Sequence, residues 1–73
     1  MALVPGADAT GVVHAFDEGR GLGEVRADDG TALPFHCTAI ADGTRTIPVG
    51  QAVRFRVAAG PLGRWEAARI TPR

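Results

Sequence analysis

Glycine and proline interrupt this chain so often that no segment is long enough and periodic enough to predict a helix. The 10 glycines and 5 prolines among 73 residues leave only short segments between turns. Several short strands separated by turn residues are typical of an all-β barrel or sandwich. The segments predicted as strands are residues 11–16, 21–26, 31–36, 52–57 and 64–70.

The fourth segment has the clearest strand pattern. Val53, Phe55 and Val57 alternate with Arg54 and Arg56, which predicts a strand with one buried face and arginines in water. A chain of this length forms a single domain, and such a domain usually has about 3–5 kcal/mol of net stability. The apolar residues of the predicted strands supply its core. The predicted core residues are Val13, Val25, Leu33, Phe35, Val53, Phe55, Val57, Ala67 and Ile70.

Turn and loop residues set the remaining organisation. Asp28, Asp29 and Gly30 predict a tight antiparallel hairpin, because glycine accepts the positive φ that such turns need. Residues 38–51 predict at most one helical turn followed by a long crossing loop. Residues 1–9 are predicted to be a flexible tail and residues 10–73 the folded domain.

Charge and cysteine content limit the classes of function. Eight arginines balance eight acidic residues, so any affinity for phosphate depends on where the arginines lie. Cys37 is the only cysteine, which excludes an internal disulfide and a cysteine-rich zinc site. With no signal peptide or apolar span in the sequence, we expect a cytoplasmic protein.

Six segments in order resemble the bacterial cold-shock domain: residues 11–17 (GVVHAFD), 19–25 (GRGLGEV), 29–30 (DG), 36–40 (HCTAI), 50–55 (GQAVRF) and 67–70 (AARI). The resemblance covers residues 11–70. It implies an all-β fold, a five-stranded antiparallel OB-fold barrel. It also implies binding of single-stranded RNA or DNA, because bases stack on an aromatic platform in that family, at about 1–3 kcal/mol per base.

The sequence departs from the family at most platform positions. Ala15 replaces a tryptophan, and phenylalanines are replaced by Leu22, Glu24, Pro34 and Cys37. Only Phe16 and His36 keep the family residue types, while His14 and Arg20 stand where the family has lysines. The resemblance therefore implies a weak, sequence-tolerant site. The candidate residues are His14, Phe16, Arg20, Leu22, His36, Arg45 in the long loop, and Trp65, which stands where the family usually has Gly-Pro.

Several of these residues have a structural alternative. Phe16 is equally well explained as filling the end of the barrel, and His36 as a surface imidazole. Trp65 either covers the open end of the barrel or packs under the N-terminal tail, or it lies at the rim beside Phe16 and His36 and stacks on bases. The competing function is a protein-interaction module on the same fold.

Catalysis and metal binding are not expected. Cys37 has no base and orienting partner in the sequence pattern that a nucleophile requires. His14, His36 and Cys37 lie on different predicted segments without a known ligand spacing. We therefore expect no enzyme activity, cofactor or bound metal.

Overall fold

The computed structural model describes residues 3–73, apart from the side chain of Leu62. In this range the chain forms one antiparallel sheet with strand order β3-β2-β1-β4-β5. The strands are β1 (Asp8–Asp17), β2 (Leu22–Ala27), β3 (Ala32–His36), β4 (Ala52–Ala59) and β5 (Trp65–Pro72). Single 3₁₀ turns at Cys37–Ala39 and Pro61–Gly63 are the only helical elements in residues 3–73, and neither is long enough to cross a membrane.

The sheet closes on itself because β3 lies against β5. Ile40, just after the first 3₁₀ turn, forms a parallel bridge with Ile70. The Ala41 N–H donates to the Ile70 carbonyl at 2.9 Å. The predicted five-stranded antiparallel barrel is therefore confirmed, with the predicted helical turn and crossing loop between β3 and β4.

The core lies inside this barrel. All of the predicted core residues are buried, and Phe55 is the largest side chain among those less than 2% exposed. Ala27, Ile40 and Ile47 are also buried, although the sequence pattern did not single them out. Ile40 and Ile47 lie outside the strands, where period-two alternation gives no signal.

A β-bulge in β1 changes which side chains face the core. Val13 pairs with Val25, but the next pair along the ladder is Ala15 with Glu24, so His14 has no partner on β2. A bulge of this kind shifts the alternation by one residue. As a result, Ala15 faces outward.

A second irregularity lies between β4 and β5. Arg54 pairs with Thr71 and Arg56 with Ala68, so two residues of β5 lie opposite Phe55. One of these two is Arg69, whose φ is 51°, a conformation that is uncommon for residues other than glycine. This bulge explains why Ala67 and Ile70 are both buried despite a spacing of three residues.

The hairpin between β2 and β3 forms as predicted. Gly30 has a φ of 93°, and its N–H donates to the Ala27 carbonyl at 2.9 Å. The Asp29 carboxylate accepts the Thr31 N–H at 2.8 Å. The Thr31 N–H and hydroxyl hold the pKa of Asp29 below its ordinary value. These contacts stabilise the turn locally.

The N-terminal boundary differs from the prediction. β1 begins at Asp8, inside the predicted tail, and Asp8 forms an ion pair with Arg56 at 3.2 Å. The Gly6 N–H donates to the Val57 carbonyl at 2.7 Å, and Ala7 accepts the Val57 N–H at 2.8 Å. The sheet therefore includes residues that alternation alone did not reach, because Gly6 and Ala7 extend the β4 pairing. Residues 1–2 of the predicted tail lie outside the described residues.

Candidate nucleic-acid interface

The outward side of β1, β2 and β3 forms a continuous surface, which we call the three-strand face. Cross-strand pairing arranges its residues in three rows. Each row takes one residue from each strand, and all of these side chains point away from the core. The rows are Val12, Arg26 and Ala32; Ala15, Glu24 and Pro34; and Asp17, Leu22 and His36.

Phe16 lies on the other side of the sheet. It pairs with Gly23, which pairs with the buried Phe35, and the two phenylalanine rings stack with centroids 5.8 Å apart and planes 2° apart. A Cβ on Gly23 would lie 2.5 Å from the Phe35 ring. Only glycine therefore leaves room for this stack. The half-buried Phe16 packs against the core, as the barrel-filling alternative predicted, and is not on the three-strand face.

The row of Leu22 and His36 carries the exposed apolar and imidazole surface of the face. Leu22 is 46% exposed. The His36 Nδ1 accepts the Thr38 N–H at 3.3 Å and lies 3.0 Å from the Thr38 hydroxyl. This hydrogen-bond network assigns the proton of the neutral ring to Nε2. His36 therefore presents an N–H donor together with its ring.

Arg20 is held next to this row by the turn between β1 and β2. Its backbone N–H donates to the Asp17 carboxylate at 3.2 Å. The neighbouring Gly21 has a φ of 67°, and a Cβ there would lie 2.9 Å from the Cys37 sulfur. The turn therefore packs against the end of β3, and the exposed Arg20 lies at the margin of the face.

The bulge residue His14 belongs to a shallow groove of about 420 Å³ at the opposite end of the face. The groove also contains Val12, Arg26 and Val49. Arg26 was not among the predicted site residues, although Leu22, Glu24 and Arg26 alternate along β2 and share one face. That alternation was the signal by which Arg26 could have been found.

Trp65 begins β5, which lies against β3. It lies in an open groove of about 320 Å³ with Pro34 and Arg64. Its side chain is 43% exposed. The groove includes no described residue of the N-terminal tail, and neither Phe16 nor His36. Trp65 therefore borders the middle row of the face through Pro34, rather than the row of Leu22 and His36.

Arg45 lies in the loop between the first 3₁₀ turn and β4. It is exposed and has a φ of 60°. Neither the groove of His14 nor that of Trp65 includes it. The fold therefore places Leu22, His36 and the adjoining Arg20 at one end of the three-strand face and His14 at the other end, whereas Arg45 lies in neither groove.

The side chains described by the structure give no set of ligands for a metal. Within residues 3–73, no three histidine, cysteine or acidic side chains cluster closely enough to hold an ion. The chemistry that this surface offers is therefore stacking, hydrogen bonding and charge.

Comparison with known proteins identifies the family. A family model described as the 'Cold-shock' DNA-binding domain matches residues 9–72. Cold shock-like protein CspD of Vibrio cholerae is 35% identical over 66 residues, which cover 88% of this chain and 86% of that protein. Cold shock protein 1 of Arabidopsis thaliana is 33% identical over 67 residues, which cover 89% of this chain but 22% of that protein.

A solved structure agrees with the barrel. The chain described as drosophila Unr CSD456 matches with a TM-score of 0.75 and 28% identity, over 93% of this chain and 27% of that chain. The antiparallel barrel is thus the OB-fold that the resemblance implied. The family match favours nucleic-acid binding over the alternative of a protein-interaction module. This chain therefore belongs to the family of 'cold-shock' DNA-binding domains and is a nucleic-acid-binding protein of the cold-shock class.

Proposed function

We propose that this protein binds single-stranded RNA or DNA through the three-strand face, weakly and with little sequence dependence over most of the site. The observation that carries the proposal is the grouping of exposed Leu22 and His36 with Arg20 at one end and His14 with Arg26 at the other. An apolar and ring surface flanked by the Arg20 and Arg26 guanidinium groups suits a strand whose bases face the protein and whose phosphates meet those groups.

The composition of the face supports weak binding. His36 is the only aromatic ring among its three rows, because Phe16 packs inward and Ala15 and Pro34 offer no π-face. Since each stacked base contributes about 1–3 kcal/mol, a face with few rings has few such contacts. Glu24 adds a negative charge at the centre of the face, which opposes phosphate.

We also propose that the protein has no enzyme activity and acts in the cytoplasm. The only described cysteine, Cys37, is half-buried and lies 3.8 Å from the His36 Nδ1, which already accepts the Thr38 N–H. The hydrogen bond from the backbone therefore orients the His36 ring, and it occupies the nitrogen that would act as a base for the thiol. Fractionation of cells that produce the protein would test its location.

Titration of 5′-labelled oligo-dT and oligo-U at low salt tests the proposed function. We expect a dissociation constant tighter than roughly 100 μM that weakens as salt is added, because phosphate neutralisation releases counterions. Absence of binding at low salt would refute the proposal and favour the protein-interaction module.

Replacing Arg20 tests the margin of the face. Arg20→Ala should lower the magnitude of the salt slope by about 0.7, the value for one phosphate contact on a single strand. Arg54→Ala is the matched control, because Arg54 is an exposed arginine on β4, outside the three-strand face. The slope is obtained from dissociation constants at several salt concentrations. Equal slopes for both variants and the parent would remove Arg20 from the site.

Trp65 reports whether the strand extends past Pro34. If a base stacks on the exposed ring, saturating oligo-dT should quench the emission of this only tryptophan. Anisotropy of the labelled oligonucleotide measures binding independently, and free tryptophan amide corrects for absorption by the DNA. Unquenched emission at saturation would show that Trp65 lies outside the path of the strand.

A further inference from the structure

Glu24 lies at a position of the three-strand face where its negative charge does not favour phosphate binding. It is half-buried at the centre of the three-strand face, between Ala15 and Pro34. It is not among the ion pairs or side-chain hydrogen bonds of the described residues. The carboxylate is therefore an unused acceptor with small or apolar neighbours on both adjacent strands.

The position of Glu24 determines whether it contacts a base or a phosphate of a bound strand. When bases stack on the side chains of a sheet, the phosphates follow the positively charged groups beside them. Ala15 and Pro34 are short, so they leave room above the sheet for the edge of a base. A group at the centre of the face is thus placed to contact a base edge, whereas Arg20 and His14 at the ends are placed to meet phosphate.

The chemistry of a carboxylate selects among base edges. An ionised carboxylate only accepts hydrogen bonds, and its two oxygens match two parallel N–H donors. Guanine offers such a pair, N1–H and an N2 amino hydrogen, on the edge that is free in a single strand. Adenine and cytosine offer an amino group beside a ring nitrogen that accepts. In thymine and uracil the single N–H lies between two carbonyl oxygens, which a carboxylate repels.

The next outward residue of β2 completes this pattern. Arg26 lies two residues from Glu24 on the same face, one strand repeat of about 6.6 Å away. Its long side chain carries only donors, and the guanine O6 beside N1 is an acceptor. Glu24 and Arg26 therefore offer acceptors and a donor in the order that a guanine edge requires.

We propose that Glu24, assisted by Arg26, makes one position of this site selective for guanine over thymine or uracil, with adenine and cytosine between them. The inference rests on the proposed single-strand binding and adds base selectivity to it. The replacement of a stacking ring by Glu24 then exchanges general affinity for discrimination at one nucleotide.

A host oligonucleotide with one variable base tests the proposal. The probes are labelled heptamers of thymidine with a central dG, deoxyinosine, dA, dC or dT, and a single guanine avoids four-stranded assemblies. We expect the dG probe to bind about tenfold more tightly than the dT probe, within the range of a bidentate base contact. Deoxyinosine lacks the N2 amino group and should fall between the two.

Two isosteric variants separate the role of Glu24 from that of charge. Glu24→Gln removes one acceptor and the charge and should bring the ratio of dG to dT affinity close to one. Glu66→Gln makes the same change at a half-buried glutamate of β5, outside the face, and should keep the parent ratio. Circular dichroism verifies that both variants are folded.

The possible outcomes distinguish the two proposals. Equal binding of all five probes, or a guanine preference that survives in Glu24→Gln, would overturn base selectivity and leave single-strand binding intact. Absence of binding to every probe at low salt would overturn both.

Discussion

Phe55→Ala should leave a large fraction of the molecules unfolded at 25 °C. Phe55 is 1% exposed and is the largest of the fully buried side chains. Its strand, β4, pairs with both β1 and β5. Truncating a buried phenylalanine to alanine costs about 3–5 kcal/mol. That loss equals the whole net stability of about 3–5 kcal/mol typical of a domain this small.

Urea titration followed by far-UV circular dichroism measures this loss. Arg54→Ala is the neighbouring control on the same strand, and we expect it to change the free energy of unfolding by no more than about 0.5 kcal/mol, because its side chain is exposed. Phe55→Leu should lie between the two, since it keeps most of the apolar volume. Cooperative unfolding of Phe55→Ala within about 1 kcal/mol of the parent would contradict this account of the core.

Glu24→Phe should strengthen binding of oligo-dT by about 1–3 kcal/mol. The variant restores a ring at the centre of the three-strand face, where Ala15 and Pro34 on either side offer room above it. It also removes a charge that repels phosphate. The gain corresponds to at least a fivefold tighter dissociation constant, measured by anisotropy at fixed salt.

Comparison with Glu24→Gln separates the two causes. The glutamine variant loses the charge without gaining a ring, so we expect a smaller gain for oligo-dT than in Glu24→Phe. If a base edge contacts Glu24 in the parent protein, the phenylalanine variant should also lose any preference for guanine. Unchanged or weaker oligo-dT binding by the folded Glu24→Phe variant would show that the strand does not cross this face.

The strands and the core could be predicted from local patterns because those patterns have local causes. Val53, Phe55 and Val57 alternate with arginines, and a strand with one side on the core requires that alternation. The turn at Gly30 needs only a residue that accepts a positive φ, and the sequence supplies one at the right place. The order of the turn glycines then carried the resemblance to the cold-shock domain.

The composition of the binding face could be predicted only in part. Leu22 and His36 lie on the face as expected, because the regular pairing of β2 with β3 keeps the period of two. Arg26 shares that period, although it was not among the predicted site residues. Trp65 was predicted either to cover the open end of the barrel or pack under the N-terminal tail, or to lie at the rim beside Phe16 and His36. The closure of β3 against β5 places it beside Pro34 instead.

The strands, the hairpin and most of the core follow from local sequence patterns, but the direction in which some side chains point depends on how the strands pair. Regular alternation from Val13 would direct Ala15 inward and Phe16 outward. The bulge at His14 reverses both, so Phe16 stacks on Phe35 and Ala15 joins Glu24 on the face. A bulge is set by pairing between strands, and such pairing leaves no signal in the residues of one strand.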